Sequence, residues 1–160
     1  MARRKSAGFK RDIGTDERYN SELVQKLINI VMWRGKKTVA TTIVYEAMEM
    51  LTKKAGGDRQ KGLEFFYKAF DQAIPVVEVR ARRVGGSVYQ VPTQVRPERA
   101  RSLTFRWFIS AAKARPNKTM GQRLGAELLA ALEGQGGAVK KKIDMHKMAD
   151  ANRAFSHYAW

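Results

Sequence analysis

The chain has no cysteine, two histidines, and 15 acidic residues against 31 Lys and Arg. Without cysteine, disulfides and thiolate metal sites are excluded, and a reducing cytosol fits. The histidines, His146 and His157, have no carboxylate at a ligand spacing, so no zinc site is expected. No apolar run approaches the roughly 20 residues that cross a bilayer. The basic N-terminus has no apolar segment behind it, so a soluble, cytoplasmic, unexported protein is expected.

Enzyme signatures are equally scarce. Gly35-Lys36-Lys37-Thr38 lacks the earlier glycine of a phosphate loop, has Lys where Ser or Thr should follow the lysine, and links two helices rather than a strand and a helix. Glu46 and Glu49 share a helix face, but no nucleophile or metal ligand accompanies them. No catalytic constellation or cofactor motif is present, which leaves binding.

The shortage of acid produces a net charge of +16 in 160 residues. A field of that size repels copies of the protein from one another, which disfavours an obligate homo-oligomer, and it makes most sense when a polyanion neutralises it. The charge is uneven. Residues 73–119 hold 10 basic and 2 acidic side chains, while residues 16–72 hold 10 and 8. The balanced stretch reads as scaffold and the biased one as contact surface.

Apolar spacing predicts a mainly α bundle of about six helices carrying one protruding β-hairpin at 75–97. A first helix starts at Asn20 as N-cap, with Leu23/Val24, Leu27/Ile28 and Val31/Met32 recurring every four residues. A second places Ala40, Ile43/Val44, Ala47/Met48 and Leu51 inward. A third is capped by Asp58, with Leu63, Phe66, Phe70 and Ala73/Ile74 inward, and ends at Pro75. Pro97 opens a fourth, whose buried face is expected at Leu103, Trp107, Ala111 and Ala114. Thr119 to Gln122 reads as a capping box opening a fifth. The last begins near Val139. Residues 1–15 hold no periodic apolar pattern and read as a basic flexible tail, leaving 16–160 as the folded domain.

In the hairpin, two β-branched runs flank Gly85-Gly86, glycines being able to reach the positive φ of a tight turn. A three-residue loop, Gly85-Gly86-Ser87, opposes Val84 to Val88, Ala81 to Val91, Val79 to Thr93 and Val77 to Val95. That register gathers the apolar residues on one face and leaves Glu78, Arg80 and Arg82 on the other. A two-residue loop would set Val79 against Pro92 and mix the faces, so the longer loop is expected.

The cations that this pattern makes candidates for nucleic-acid contact fall in five groups. The tail supplies Arg3, Arg4, Lys5, Lys10 and Arg11, and the first interhelical loop Lys36 and Lys37. The hairpin supplies Arg80, Arg82 and Arg83, with Tyr89 and Gln90 beside them. The fourth helix and its flanks supply Arg96, Arg99, Arg106, Lys113, Arg115 and Lys118. Arg99, Arg106 and Lys113 share a helix face that has no acidic i,i+4 partners. Lys140, Lys141 and Lys142 open the last helix, where the dipole disfavours lysine unless an anion sits there. Phe155, Tyr158 and Trp160 end the chain as protein-contact candidates.

A basic ribbon could bend double-stranded DNA as an architectural protein does, but its tip lacks a bulky wedge. Tyr89 among arginines is the mixture that stacks on splayed bases of folded RNA.

The run Pro75-Val-Val-Glu-Val-Arg-Ala-Arg-Arg-Val-Gly-Gly-Ser-Val-Tyr-Gln-Val-Pro-Thr-Gln-Val-Arg-Pro97 resembles the bacterial small-subunit ribosomal protein seven family. So do Ser21 to Ile28, Gly35-Lys36-Lys37, Ile43 to Ala47, Lys118-Thr119-Met120 and the ending from Val139 to Trp160. The resemblance covers essentially the whole chain. It implies a primary binder of the 3′ major domain of small-subunit ribosomal RNA that nucleates assembly of the subunit head. It also implies a position near the exit-site transfer RNA and the messenger RNA exit, beside ribosomal proteins nine and eleven. By motif match, Arg80, Arg82, Arg83 and the basic tail are the expected RNA contacts, with no cofactor and no metal.

Overall fold

The computed structural model describes residues 12–159. Along them run helices α1 (Glu22–Val31), α2 (Lys37–Lys54) and α3 (Arg59–Ala73), then strands β1 (Val77–Val84) and β2 (Ser87–Gln94). Helices α4 (Pro97–Lys113), α5 (Met120–Leu132) and α6 (Gly137–Ala151) follow, and a 3-10 helix spans Arg153–Tyr158. The mainly α architecture with one hairpin arm is the one expected, as is the order of its elements. The tail residues Arg3, Arg4, Lys5, Lys10 and Arg11, and Trp160 at the other end, lie outside the described residues.

Local chemistry sets most helix starts. Asp58 caps α3 by accepting from the Gln60 N–H at 2.9 Å. Thr119 caps α5 by accepting from the Gln122 N–H at 3.2 Å. Pro97 occupies the first turn of α4, where its missing N–H has no intrahelical role. The cap of α1 is one residue later than expected: Ser21 Oγ accepts from the Val24 N–H, while Asn20 adopts φ 47° in the turn before it. That turn is held by Asp16, whose carboxylate accepts from the Arg18 and Tyr19 N–H groups and from the Tyr45 hydroxyl. Burial and the Asp16 hydrogen bond push the Tyr45 phenol up to about 12.

The core joins one stripe from each helix. Val24, Leu27 and Ile28 of α1 meet Val44, Ala47, Met48 and Leu51 of α2 and Phe66 and Phe70 of α3, all fully enclosed. Helix α5 lies close against α2 because Gly121 and Gly125 bring no side chain: a Cβ at either position would stand under 3 Å from Glu46 or Met50. The core face of α4 differs from the expected one. Ala100, Thr104, Phe105, Phe108 and Ala112 are buried, whereas Leu103, Trp107 and Ala111 are only partly covered and Ala114 is exposed. The two phenylalanines decide it, since both pack on Phe70, with ring centroids 4.7 and 6.2 Å away. Both rings are enclosed there, whereas Leu103 and Trp107 keep part of their surface in solvent.

The hairpin register is the other correction. Val84 pairs with Ser87, Arg82 with Tyr89, Arg80 with Val91, Glu78 with Thr93 and Val79 with Pro92, so the loop is the two residues Gly85-Gly86. Both have positive φ, 57° and 91°, the turn whose twist matches that of the strands and which two successive glycines adopt without a Cβ penalty. The covered face therefore carries Glu78, Arg80 and Arg82 alongside Tyr89 and Val91, not the valine row of β1. Glu78 and Val91 are buried on it, while Val77 and Val79 on the opposite face are only partly covered.

Candidate nucleic-acid interface

The buried carboxylate of Glu78 organises the base of the arm. Arg99 Nε, from α4, donates to its Oε2 at 2.7 Å and to its Oε1 at 2.9 Å, and Arg80 Nε also donates to Oε1. Burial pushes this carboxyl up, but the hydrogen bonds from Arg99 and Arg80 outweigh burial and hold it below its ordinary value. One internal anion thus fixes two arginines of the candidate surface while leaving each about half exposed. The α4 face that lacks an acidic partner within its own helix receives one from the strand.

Around this pair an open groove of about 840 Å³ runs between the arm, the start of α4 and the chain end, lined by Arg80, Arg82, Arg96, Arg99, Pro92 to Gln94, Ser156 and Ala159. The structure therefore brings together four candidates, two from β1 and two from the start of α4, with no acidic side chain in the lining. Arg83 and Gln90 are exposed on the opposite face of the ribbon. Arg106 and Lys113 continue exposed along α4, and Lys118 is exposed in the loop beyond it.

Several candidates serve the fold as well. Arg115 turns inward, its Nε donating to Glu127 Oε2 at 2.7 Å. The other oxygen of Glu127, a residue 1% exposed, accepts from the Ala138 N–H at 2.9 Å. This carboxylate is the anion that the start of α6 calls for, and the chain supplies it from α5. Lys142 Nζ donates to the Gln72 carbonyl at 2.9 Å, while Lys140 and Lys141 stay exposed. The Tyr89 ring packs on Phe155 and Tyr158, with centroids 5.0 and 5.7 Å away. The aromatic chain end is thereby joined to the arm, and the Val76 N–H donates to His146 Nε2 of α6 at 3.2 Å at the arm's root. Lys36 and Lys37 lie apart from the groove, exposed at the turn between α1 and α2.

Spacing did not single out Glu78, Glu127 or His146 for these roles. For Glu78 a local signal exists: it is the lone acid of β1, at even spacing from Arg80 and Arg82. No group of His and acidic residues arranged to hold a metal occurs among the described residues, and no helix among them is long and apolar enough to cross a membrane.

The family model for ribosomal protein S7p/S5e matches residues 2–153. The chain belongs to this family. Curated relatives align over the full length of both chains: the small ribosomal subunit protein uS7 of Idiomarina loihiensis is 51% identical. Those of Nautilia profundicola and Francisella tularensis are each 50% identical over the same span. The family is one of structural ribosomal components rather than enzymes, so the chemistry to be explained is recognition.

Proposed function

We propose that this chain is a structural constituent of the small ribosomal subunit that binds the 3′ major domain of its ribosomal RNA and nucleates assembly of the subunit head. In this reading the arm lies near the exit-site transfer RNA and the messenger RNA exit, with ribosomal proteins nine and eleven as neighbours. The observation that carries it is the four-arginine groove beside Glu78, built within a basic stretch and found in a chain full-length similar to small-subunit proteins. Arg96 and Arg99 sit on the rigid start of α4, and Arg80 and Arg82 on the strand, so the groove can follow a phosphate backbone with little reorganisation. Residues 1–15 act as a basic extension that adds charge contacts, and 16–160 act as the folded RNA-binding domain.

Titrating the full chain with a 3′ major-domain RNA fragment across salt concentrations tests this. With five or more phosphates neutralised, log K falls against log salt with a slope of about −4 or steeper. A slope shallower than about −2 removes the basic surface from the interface. Equal affinity for duplex DNA, with bending in a gel, would favour the architectural DNA reading instead.

A further inference from the structure

We propose that Trp33 is a stacking platform for an unpaired RNA base, a second contact point apart from the arm that rests on the ribosomal RNA reading above. Trp33 is 71% exposed, more than any other large apolar side chain among the described residues. Such exposure gives up apolar burial the core could have used, and it marks a surface made for a partner.

The backbone holds the indole in that position. Arg34 has φ 52°, a left-handed conformation that L side chains rarely adopt, and Gly35 follows at φ 75°. The resulting turn is closed by the Lys36 N–H donating to the Trp33 carbonyl at 3.1 Å and the Lys37 N–H donating to the Gly35 carbonyl at 2.9 Å. Strain of this kind persists where the surrounding structure fixes it, and such positions cluster at ligand contacts.

Charge and size select the occupant. Beside Trp33 is a groove of about 220 Å³ lined by Val31, Arg34, Lys36, Val39, Ala40 and Ile43. That is smaller than the roughly 300–1,000 Å³ of a small-molecule pocket, so it suits one flat ring rather than a whole ligand. Its lining contains two cations and no acid, with exposed Lys37 next in sequence. None of Arg34, Lys36 and Lys37 forms a salt bridge with a carboxylate among the described residues. An aromatic face flanked by uncompensated cations matches a base with its flanking phosphates, and it disfavours the acid-free apolar surface of a protein partner.

The test labels the full chain with 5-fluorotryptophan, assigns the Trp33 fluorine resonance with W33F, and titrates a naked 3′ major-domain RNA fragment. The Trp33 resonance shifts on binding. W33A weakens affinity by about 5- to 150-fold with an unchanged salt slope, because no charge is lost, and W33F recovers most of the affinity. R34Q/K36Q/K37Q instead flattens the slope. Thermal melting checks that W33A folds, and if it does not, the response of the Trp33 fluorine resonance to RNA decides. A Trp33 resonance indifferent to RNA, or wild-type affinity in W33A, overturns the proposal. So does a shift that appears only in assembled subunits, which would make the occupant a neighbouring protein. If the wild-type chain itself fails to bind the RNA, the ribosomal RNA reading has failed and this inference falls with it, a result distinct from a defect confined to W33A.

Discussion

Phe70 in the helical core is enclosed by Phe66, Phe105 and Phe108, whereas Tyr89 in the arm shares a partly exposed cluster with Phe155 and Tyr158. Within the strands, Val91 is the one apolar side chain that is fully buried among the described residues. The arm is also attached by the ion pairs of Glu78 and by the hydrogen bond from Val76 to His146. Core and arm thus rest on different forces: apolar burial, which salt and mild acid leave alone, and charge and edge contacts, which both can weaken. A surface that must meet a polyanion benefits from the second kind. Its arginines stay half in solvent, and a two-stranded ribbon with few buried contacts opens locally at lower free energy than the core.

The largest effect that sharpens this contrast is expected for Phe70→Ala, which opens a cavity among three aromatic rings and costs about 3–5 kcal/mol in chemical denaturation. Tyr89→Ala should change global stability by less than about 1.5 kcal/mol, yet raise amide exchange in β2 and in residues 153–158. Equal losses in the two variants would mean that arm and core unfold as one unit.

A second test asks whether buried charge in the core behaves like buried charge in the arm. Glu127→Ala leaves the Ala138 N–H without its acceptor and Arg115 without its anion, and should cost about 3 kcal/mol. Glu127→Gln keeps an acceptor for Ala138 and should recover part of that loss. If Glu127→Ala is as mild as a surface substitution, the start of α6 is held by packing alone.

The elements whose causes are local could be read from the sequence. Asp58, Pro97 and Thr119 mark helix starts because a cap acts within three residues, and the inward stripe of α2 follows from a single period. What could not be read is where two local patterns fit equally well and a distant partner decides. On α4, Leu103/Trp107 and Phe105/Phe108 both make an acceptable stripe, and Phe70 from α3 selects the second. In the hairpin, sorting apolar from charged residues favours the longer loop, because a two-residue loop sets Val79 against Pro92 and mixes the faces, with Glu78 on the charged one. The burial of Glu78 is made tolerable by Arg99, 21 positions away, and with that ion pair the covered face no longer needs to be apolar. The clustering of Arg80, Arg82, Arg96 and Arg99 was visible as charge density, but their convergence on one groove with the chain end was not. The same blindness hid the pairing of Glu127 with Ala138.

The smallest effect expected concerns Glu78 itself. Its folded carboxyl titrates below the ordinary value of 4.5, so the ion pair contributes stability that is fully present above the unfolded value and is lost as pH falls through the lower folded one. Because Arg80 and Arg99 are 49% and 46% exposed, solvent screens the pair and the contribution is about 1 kcal/mol or less. It belongs to the arm, so it should appear in hairpin amide exchange before it appears in global melting. In the wild-type chain, protection of β1 and β2 relative to α2 should drop as pH is lowered through the region below 4.5. In Glu78→Gln it should start lower at neutral pH, where two guanidinium groups face a neutral amide, and should lose that drop. High salt should shrink the difference between the two proteins without altering exchange in α2. Parallel pH curves for the two proteins would show that the arm is seated by Val91 and the Tyr89 cluster, and that Glu78 serves to hold Arg80 and Arg99 in place.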